Sequence, residues 1–106
     1  MKLENNFKLN EMTVVQTIQG LREIADDYDA FIIDLWGVIH DGIAIFPPIL
    51  EVLEQLKQTK KHVCLMTNNP KSNQDNINKL AAMGLNPELY TELISAGQQG
   101  IEMILD

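Results

Sequence analysis

The sequence has 106 residues, which suffice for one small domain with a single core. Hydrophobic residues make up 45% and charged residues 22%, a composition that indicates a globular protein and excludes a disordered or fibrous one. The formal net charge of −7 disfavours binding to nucleic acid or to an anionic membrane surface, and the single cysteine, Cys64, excludes an internal disulfide and a cysteine-rich zinc site.

No segment has the pattern of a targeting signal or of a membrane span. Residues 1–12 lack the apolar core of a secretory signal, and no apolar run approaches the roughly 18 residues that a spanning helix needs. We therefore expect a cytoplasmic protein whose partners include neither nucleic acid nor a membrane.

The chain divides into two predicted parts. Residues 1–28 form a polar leader and an amphipathic helix, and residues 29–106 form the core domain. In the first part, apolar residues recur at helical spacing, and Asn10 or Thr13 is available as the cap. The apolar positions are Val14, Ile18, Leu21, Ile24 and Tyr28.

Strands and helices alternate in the second part. The apolar segments 31–35, 62–66 and 93–95 predict strands. Helices are predicted from Pro47, from a cap at Ser72 to a stop at Gly84, and over 98–105. This order predicts an α/β fold with a parallel sheet of about three strands, right-handed crossovers, and both connecting helices on one face of the sheet.

A small hairpin flap is predicted between the first strand and the first of these helices. Asp41-Gly42 suits the positive backbone angles of a tight turn, and the apolar segments 38–40 and 43–45 flank it. The flap would therefore lie close to the end of the first strand.

Polar residues follow each predicted strand, and they are the candidate functional residues. Asp34 comes at the end of the first strand, residues 67–69 follow the second, and residues 95–97 follow the third. Ligands of parallel sheets collect at the carboxyl ends of the strands, and a carboxylate beside hydroxyl and amide groups can bind a divalent cation and a phosphate. The alternative is that Asp34 and Asp41 are only turn and cap residues and that 67–69 merely ends a strand.

Four segments together resemble a known family. In order and spacing they are similar to motifs of the haloacid dehalogenase superfamily, and in particular of its class IIA, nitrophenylphosphatase-like branch. The segments are 34–42 (DLWGVIHDG), 65–70 (LMTNNP), 79–85 (KLAAMGL) and 95–97 (SAG). The resemblance covers the chain from about residue 28 onward. It implies part of the Rossmann-like sheet of that superfamily.

The resemblance also implies roles for individual residues. Asp34 would be the nucleophile that forms an aspartyl phosphate, and Thr67 and Asn68 would bind the phosphoryl oxygens of a small phosphorylated substrate. The Asp34 carboxylate and the backbone carbonyl of Trp36 would be ligands for Mg²⁺.

The sequence departs from the family pattern in two ways. Trp36 occupies the place where phosphatases of the superfamily have a second Asp as the general acid and base, which indicates a different proton route or poor phosphatase activity. His40 and Asp41 are nearby candidates for that route, but a turn and flap role is favoured for both. The later Lys and acidic metal-binding motif of the family, which follow an inserted cap domain, have no counterpart in residues 1–106. We therefore expect an amino-terminal half whose cap domain and carboxy-terminal half are absent.

Two functional hypotheses follow from these departures. The first is a hydrolase half that is inactive or incomplete as it stands, and the second is a non-catalytic remnant or interaction module that keeps the fold. A generic nucleotide-binding sheet is disfavoured, because no glycine-rich phosphate loop is present. Under both hypotheses the first strand offers an unpaired apolar edge, so we expect self-association.

Overall fold

The fold is built on a three-stranded parallel sheet. A computed structural model describes residues 18–105. The strands are β1 (Ala30–Asp34), β2 (His62–Thr67) and β3 (Glu92–Ser95), and they lie in the order β1-β2-β3. The predicted α/β class and the three parallel strands are confirmed.

The strand register places the carboxyl ends of the three strands side by side at one end of the sheet. Asp34 pairs with Met66 across β1 and β2, and Thr67 pairs with Ser95 across β2 and β3. The polar residues that follow the strands are therefore neighbours, as the sequence predicts.

Within residues 18–105, three α-helices accompany the strands: α1 (Pro47–Gln58), α2 (Asn73–Ala82) and α3 (Ala96–Leu105). The Ser72 side chain accepts a hydrogen bond from the backbone N–H of Asp75 at 3.1 Å and caps α2 as predicted. Gly84, at a φ of 101°, follows the end of this helix. In residues 18–105, no helix has both the length and the apolar character that a bilayer crossing requires.

The third helix begins earlier than predicted. It starts at Ala96 and not at Gln98, because the Ser95 hydroxyl accepts a hydrogen bond from the Gln98 backbone N–H at 3.1 Å and so acts as the cap. Strand β3 therefore passes into the helix without a connecting loop.

The amino-terminal segment differs from the predicted helix. Residues 10–17 of that prediction lie outside the described residues. Residues Leu21–Glu23 and Ala25–Asp27 form two 3-10 turns in place of a continuous α-helix. Gly20 lies in extended backbone directly before them, in line with the weak helix propensity of glycine.

The flap is a compact loop rather than a two-stranded hairpin. A single antiparallel bridge joins His40 to Ile45, and neither flank of the turn is a strand. The Leu35 carbonyl accepts hydrogen bonds from three successive backbone N–H groups, those of residues 38, 39 and 40. These bonds coil the chain and leave too little extended backbone for a ladder.

The core lies on the face of the sheet that α1 and α2 cover. Its fully buried side chains include Leu53 from α1, Leu80 from α2 and Leu65 from the central strand. Both connecting helices thus lie on one face, as the right-handed crossovers predict. Cys64 is buried and His62 is exposed.

The opposite face of the sheet is more open. Ile32, in the middle of β1, is 71% exposed, and the β1 edge away from β2 pairs with no strand of residues 18–105. Four apolar side chains of α3 are also exposed: Ile101, Met103, Ile104 and Leu105.

We expect Leu65→Ala to lower the free energy of unfolding by about 2–5 kcal/mol, because it leaves a cavity where a fully buried side chain packs. Leu105→Ala deletes the same atoms at a position that is 79% exposed, and it should cost far less. Urea unfolding of both variants in dilute solution measures the difference. Equal losses would contradict this placement of the core.

Candidate functional site

A cavity of about 570 Å³ opens at the carboxyl ends of the strands. Asp34, Thr67 and Asn68, the three side chains singled out from the sequence, all line it. The remaining lining residues are Ile32, Met66, Ile94, Ser95, Ala96 and Gln99. The structure therefore brings the candidate nucleophile and the candidate phosphate-binding residues to one place.

Asp34 is the last residue of β1 and is exposed. Its Oδ1 accepts a hydrogen bond from the Leu35 backbone N–H at 2.8 Å, which orients the carboxylate. Its Oδ2 accepts no hydrogen bond from any residue of 18–105. One carboxylate oxygen is thus available to a ligand in the cavity.

Thr67 and Asn68 approach the cavity from β2. Thr67 is buried, and its Oγ1 accepts a hydrogen bond from the Asn69 backbone N–H at 3.4 Å. Its hydroxyl proton is free to point toward a bound oxygen, since Oγ1 acts as an acceptor in that bond. Asn68 is exposed beside it.

The third predicted cluster contributes less chemistry than its position suggests. The Ser95 hydroxyl donates to the Lys71 carbonyl at 2.6 Å and accepts from the Gln98 N–H, so both of its functions serve the fold. Gln99, which the sequence analysis did not single out, lines the cavity from the first turn of α3. The sequence feature that could have indicated Gln99 is the start of a helix immediately after a strand. Such a helix places its first-turn side chains near the carboxyl ends of the strands.

Trp36 is packed on the flap. A Cβ at Gly42, whose φ is 92°, would lie 2.6 Å from Cζ2 of the indole, so only glycine lets the ring approach this closely. The ring also meets His40 edge to face, with 5.7 Å between ring centroids. The indole therefore contacts the flap with part of its surface while the residue is 62% exposed, and it cannot exchange a proton as a carboxyl does.

His40 and Asp41 have the turn roles that were assigned to them. The Asp41 carboxylate accepts hydrogen bonds from the Ile43 and Ala44 N–H groups, each at 2.9 Å. The bond from Ala44, followed by that from Ile43, lowers the pKa of Asp41. His40 is buried, and its Nδ1 accepts from the Gly42 N–H at 2.9 Å.

The surroundings of His40 oppose its protonation. Burial is the larger cause that lowers its pKa, the positive charge of Lys79 adds to it, and Asp41 opposes both. The bond from Gly42 acts in the same direction as burial, because Nδ1 can accept it only when that nitrogen carries no proton.

Two oxygen atoms of the kind that Mg²⁺ prefers lie at or just after the end of β1. They are the free Oδ2 of Asp34 and the Trp36 carbonyl oxygen, which accepts no hydrogen bond within the described chain. Mg²⁺ commonly takes one or two carboxylates together with waters and substrate phosphate. The two oxygens have the chemistry of magnesium ligands, but Asp34 lines the cavity and Trp36 does not. Nowhere in 18–105 do three or more His, Cys, Asp or Glu side chains gather around one point.

The charge of the cavity is unbalanced. Asp34 is its one ionisable lining residue, and no Lys or Arg of the described chain lines it. A phosphate in this cavity would meet a carboxylate with no cationic side chain to offset the repulsion. A bound cation would offset this repulsion.

The free energy of unfolding should fall as the pH drops below about 6.5, the ordinary pKa of histidine. The pKa of His40 is lower in the folded protein, so the unfolded chain binds more protons in the window between the two values. His40→Asn keeps an acceptor near Nδ1 without titrating, and it should show a smaller loss between neutral and mildly acidic pH. Identical pH profiles for His40→Asn and the wild type would refute the assignment.

Comparisons with known proteins agree with this geometry. The family model of haloacid dehalogenase-like hydrolases matches residues 31–105. A solved structure, that of a hydrolase of the haloacid dehalogenase-like family from Brucella suis 1330, is similar with a TM-score of 0.74 and 26% sequence identity over 84% of this chain. The chain spans 34% of that protein, about a third of its length, and no curated protein matches. Because the family match extends over most of the sequence, this chain belongs to the haloacid dehalogenase-like hydrolase family.

Proposed function

We propose that the chain supplies the amino-terminal part of the active site of a class IIA phosphatase, which hydrolyses a small phosphate ester with the help of Mg²⁺. The observation that carries this proposal is the meeting of Asp34, Thr67 and Asn68 around one cavity at the carboxyl edge of the sheet. Family membership supports hydrolase chemistry at that edge.

In the proposed reaction, Oδ2 of Asp34 attacks the phosphorus of the ester. A bond forms between that oxygen and phosphorus as the ester bond to the alcohol oxygen breaks, and the leaving alkoxide takes a proton from solvent water to become the alcohol. Water then attacks the phosphorus of the aspartyl phosphate, which releases inorganic phosphate and restores the carboxylate. The Thr67 hydroxyl and Asn68 donate hydrogen bonds to the phosphoryl oxygens.

Asp34 and the Trp36 carbonyl are the groups of this chain that would hold Mg²⁺. When bound, the cation neutralises charge on the transferring phosphoryl group. The chain's own contribution is to hold Oδ1 of the carboxylate through the bond from Leu35, which leaves Oδ2 without a partner among the described residues.

Three features support an incomplete site in the isolated chain. The cavity is lined by one carboxylate, no cationic side chain of the described residues lines it, and the Trp36 indole cannot serve as the general acid. Loss of a positioned general acid alone typically costs about 10²–10⁴-fold in rate. We therefore propose that the 106-residue chain turns over a phosphate ester poorly or not at all by itself.

The second candidate is a non-catalytic module that retains the fold. The contact of Trp36 with Gly42 and His40 favours this candidate. The residue two positions after Asp34 contacts the flap, and its indole cannot transfer a proton. The two candidates differ in whether Asp34 still engages a phosphoryl group in the presence of Mg²⁺.

Beryllium trifluoride, which mimics the phosphoryl group of an aspartyl phosphate, should shift the backbone amide resonances of Thr67 and Asn68 when Mg²⁺ is present. Asp34→Asn removes the carboxylate that would hold it and should abolish the shift. Asp29→Asn changes an exposed Asp just before β1, at the opposite end of the sheet, and should leave the shift intact. Magnesium-dependent release of phosphate from an aryl phosphate should stay at background in all three proteins.

The outcomes separate the candidates. No shift in the wild-type chain, or the same shift in Asp34→Asn, would refute Asp34 as the phosphoryl acceptor and favour the non-catalytic module. Turnover in the wild type that Asp34→Asn lacks would refute the proposed incompleteness while supporting the nucleophile.

We further propose that two copies of the chain associate through the open face and the free edge of β1. The exposed Ile32 and the apolar side chains of α3 provide the apolar surface, and the edge of β1 offers unpaired backbone groups. The net charge of −7 on each copy opposes the contact at low ionic strength.

The apparent mass of the chain should therefore rise with protein concentration, and it should rise further when salt is added. Ile32→Glu places a charge on the open face and should shift the chain toward monomer. Ile43→Glu makes the same change at an 85% exposed position on the flap and should not. Size-exclusion chromatography with light scattering measures the mass; a wild-type monomer under every condition would rule out the contact.

A further inference from the structure

A network of side-chain amide groups holds the loop that follows β2. Asn76, on α2, is 3% exposed and faces this loop. Its Nδ2 donates to Oδ1 of Asn69 at 3.0 Å, and Nδ2 of Asn69 donates to Oδ1 of Asn76 at 2.6 Å. Asn76 Nδ2 also donates to the Ser72 carbonyl at 2.8 Å, which fixes the orientation of the amide because a carbonyl can only accept. The two side chains thus form a reciprocal pair.

The opposite side of the same loop is held by the start of α3. The Asn69 carbonyl accepts from the Gly97 N–H at 3.0 Å, and the Lys71 carbonyl accepts from the Ser95 hydroxyl at 2.6 Å. A Cβ at Gly97 would lie 2.0 Å from the Pro70 carbonyl oxygen, so the loop backbone rests directly on the helix. Residues 69–71 are therefore fixed between α2 and α3.

The network reaches the cavity through one further bond. The Asn69 N–H, which belongs to the residue paired with Asn76, donates to Oγ1 of Thr67. Asn68 lies between these two residues and lines the cavity. The position of the Thr67 hydroxyl is consequently tied to Asn69, and that of Asn69 is tied to Asn76.

We propose that Asn76 is a positioning residue for phosphate binding: its amide pair with Asn69 sets where Thr67 and Asn68 stand in the cavity. This inference rests on the proposed function of that cavity. Stability of the fold alone does not call for such a pair, since an apolar contact of similar shape can stabilise a buried position as well as a hydrogen bond does. Orienting a loop, by contrast, needs hydrogen bonds, because an apolar contact has no preferred direction.

The test compares Asn76→Leu with Asn78→Leu. Both change an Asn on α2, but Asn78 is exposed and contacts Gln74 on the same helix. In the full chain with Mg²⁺, Asn76→Leu should weaken the affinity for beryllium trifluoride about tenfold or more, as expected for one hydrogen bond left unmade. It should also shift the amide resonances of Thr67 and Asn68, and Asn78→Leu should do neither.

A variant with a defect in the core distinguishes the positioning role of Asn76 from a merely structural role. Leu53→Ala removes buried atoms from α1, a helix that does not line the cavity, and it should destabilise the chain without weakening the affinity. Should Asn76→Leu not fold, Asn69→Ala breaks the same pair from the half-buried loop side and should give the same loss of affinity.

The outcomes are distinct. Unchanged affinity and unchanged loop resonances in folded Asn76→Leu or Asn69→Ala would overturn the positioning role, as would an equal loss of affinity in Leu53→Ala. Absence of binding by the wild-type chain would instead overturn the proposed function. In that event the loop resonances would still decide whether Asn76 sets the position of Thr67 and Asn68.

Discussion

The in-register parallel pairing of three short strands is the constraint on which the rest of the structure depends. Pairing of Asp34 with Met66 and of Thr67 with Ser95 places the strand ends side by side. Successive side chains of a strand point to opposite faces, so a slip of one residue in β1 would turn Asp34 toward the helix-covered face and expose core residues. The burial of Leu65 and the cavity beside Asp34 are thus two results of one register.

Much of this architecture can be predicted from local patterns. Apolar runs mark the three strands, Pro47 and the Ser72 cap mark two helix starts, and the polar residues after each strand mark the site. These features depend on neighbours in sequence, and a pattern of neighbours is enough to predict them. The resemblance of residues 34–42 and 65–70 to a hydrolase family adds the roles, which spacing alone does not provide.

Other features depend on contacts between distant segments. The pair of Asn69 and Asn76 forms only after α2 has packed beside the loop, and an Asn on a polar-looking helix gives no sign of it. The start of α3 depends on a hydroxyl of Ser95 that caps one helix while bonding to Lys71. The flap departs from the predicted hairpin for a local reason, because three bonds from residues 38–40 to the Leu35 carbonyl compete with the extended pairing that Asp41-Gly42 suggests.

The packing of Trp36 has an optical consequence. It is the one tryptophan of the sequence, it lies two residues after Asp34, and its ring rests on Gly42 beside His40. Indole emission responds to the polarity and charge around the ring, so the intrinsic fluorescence of this protein originates almost entirely from the flap. The molecule therefore carries a built-in reporter of local rearrangement next to the carboxylate, one that needs no attached dye.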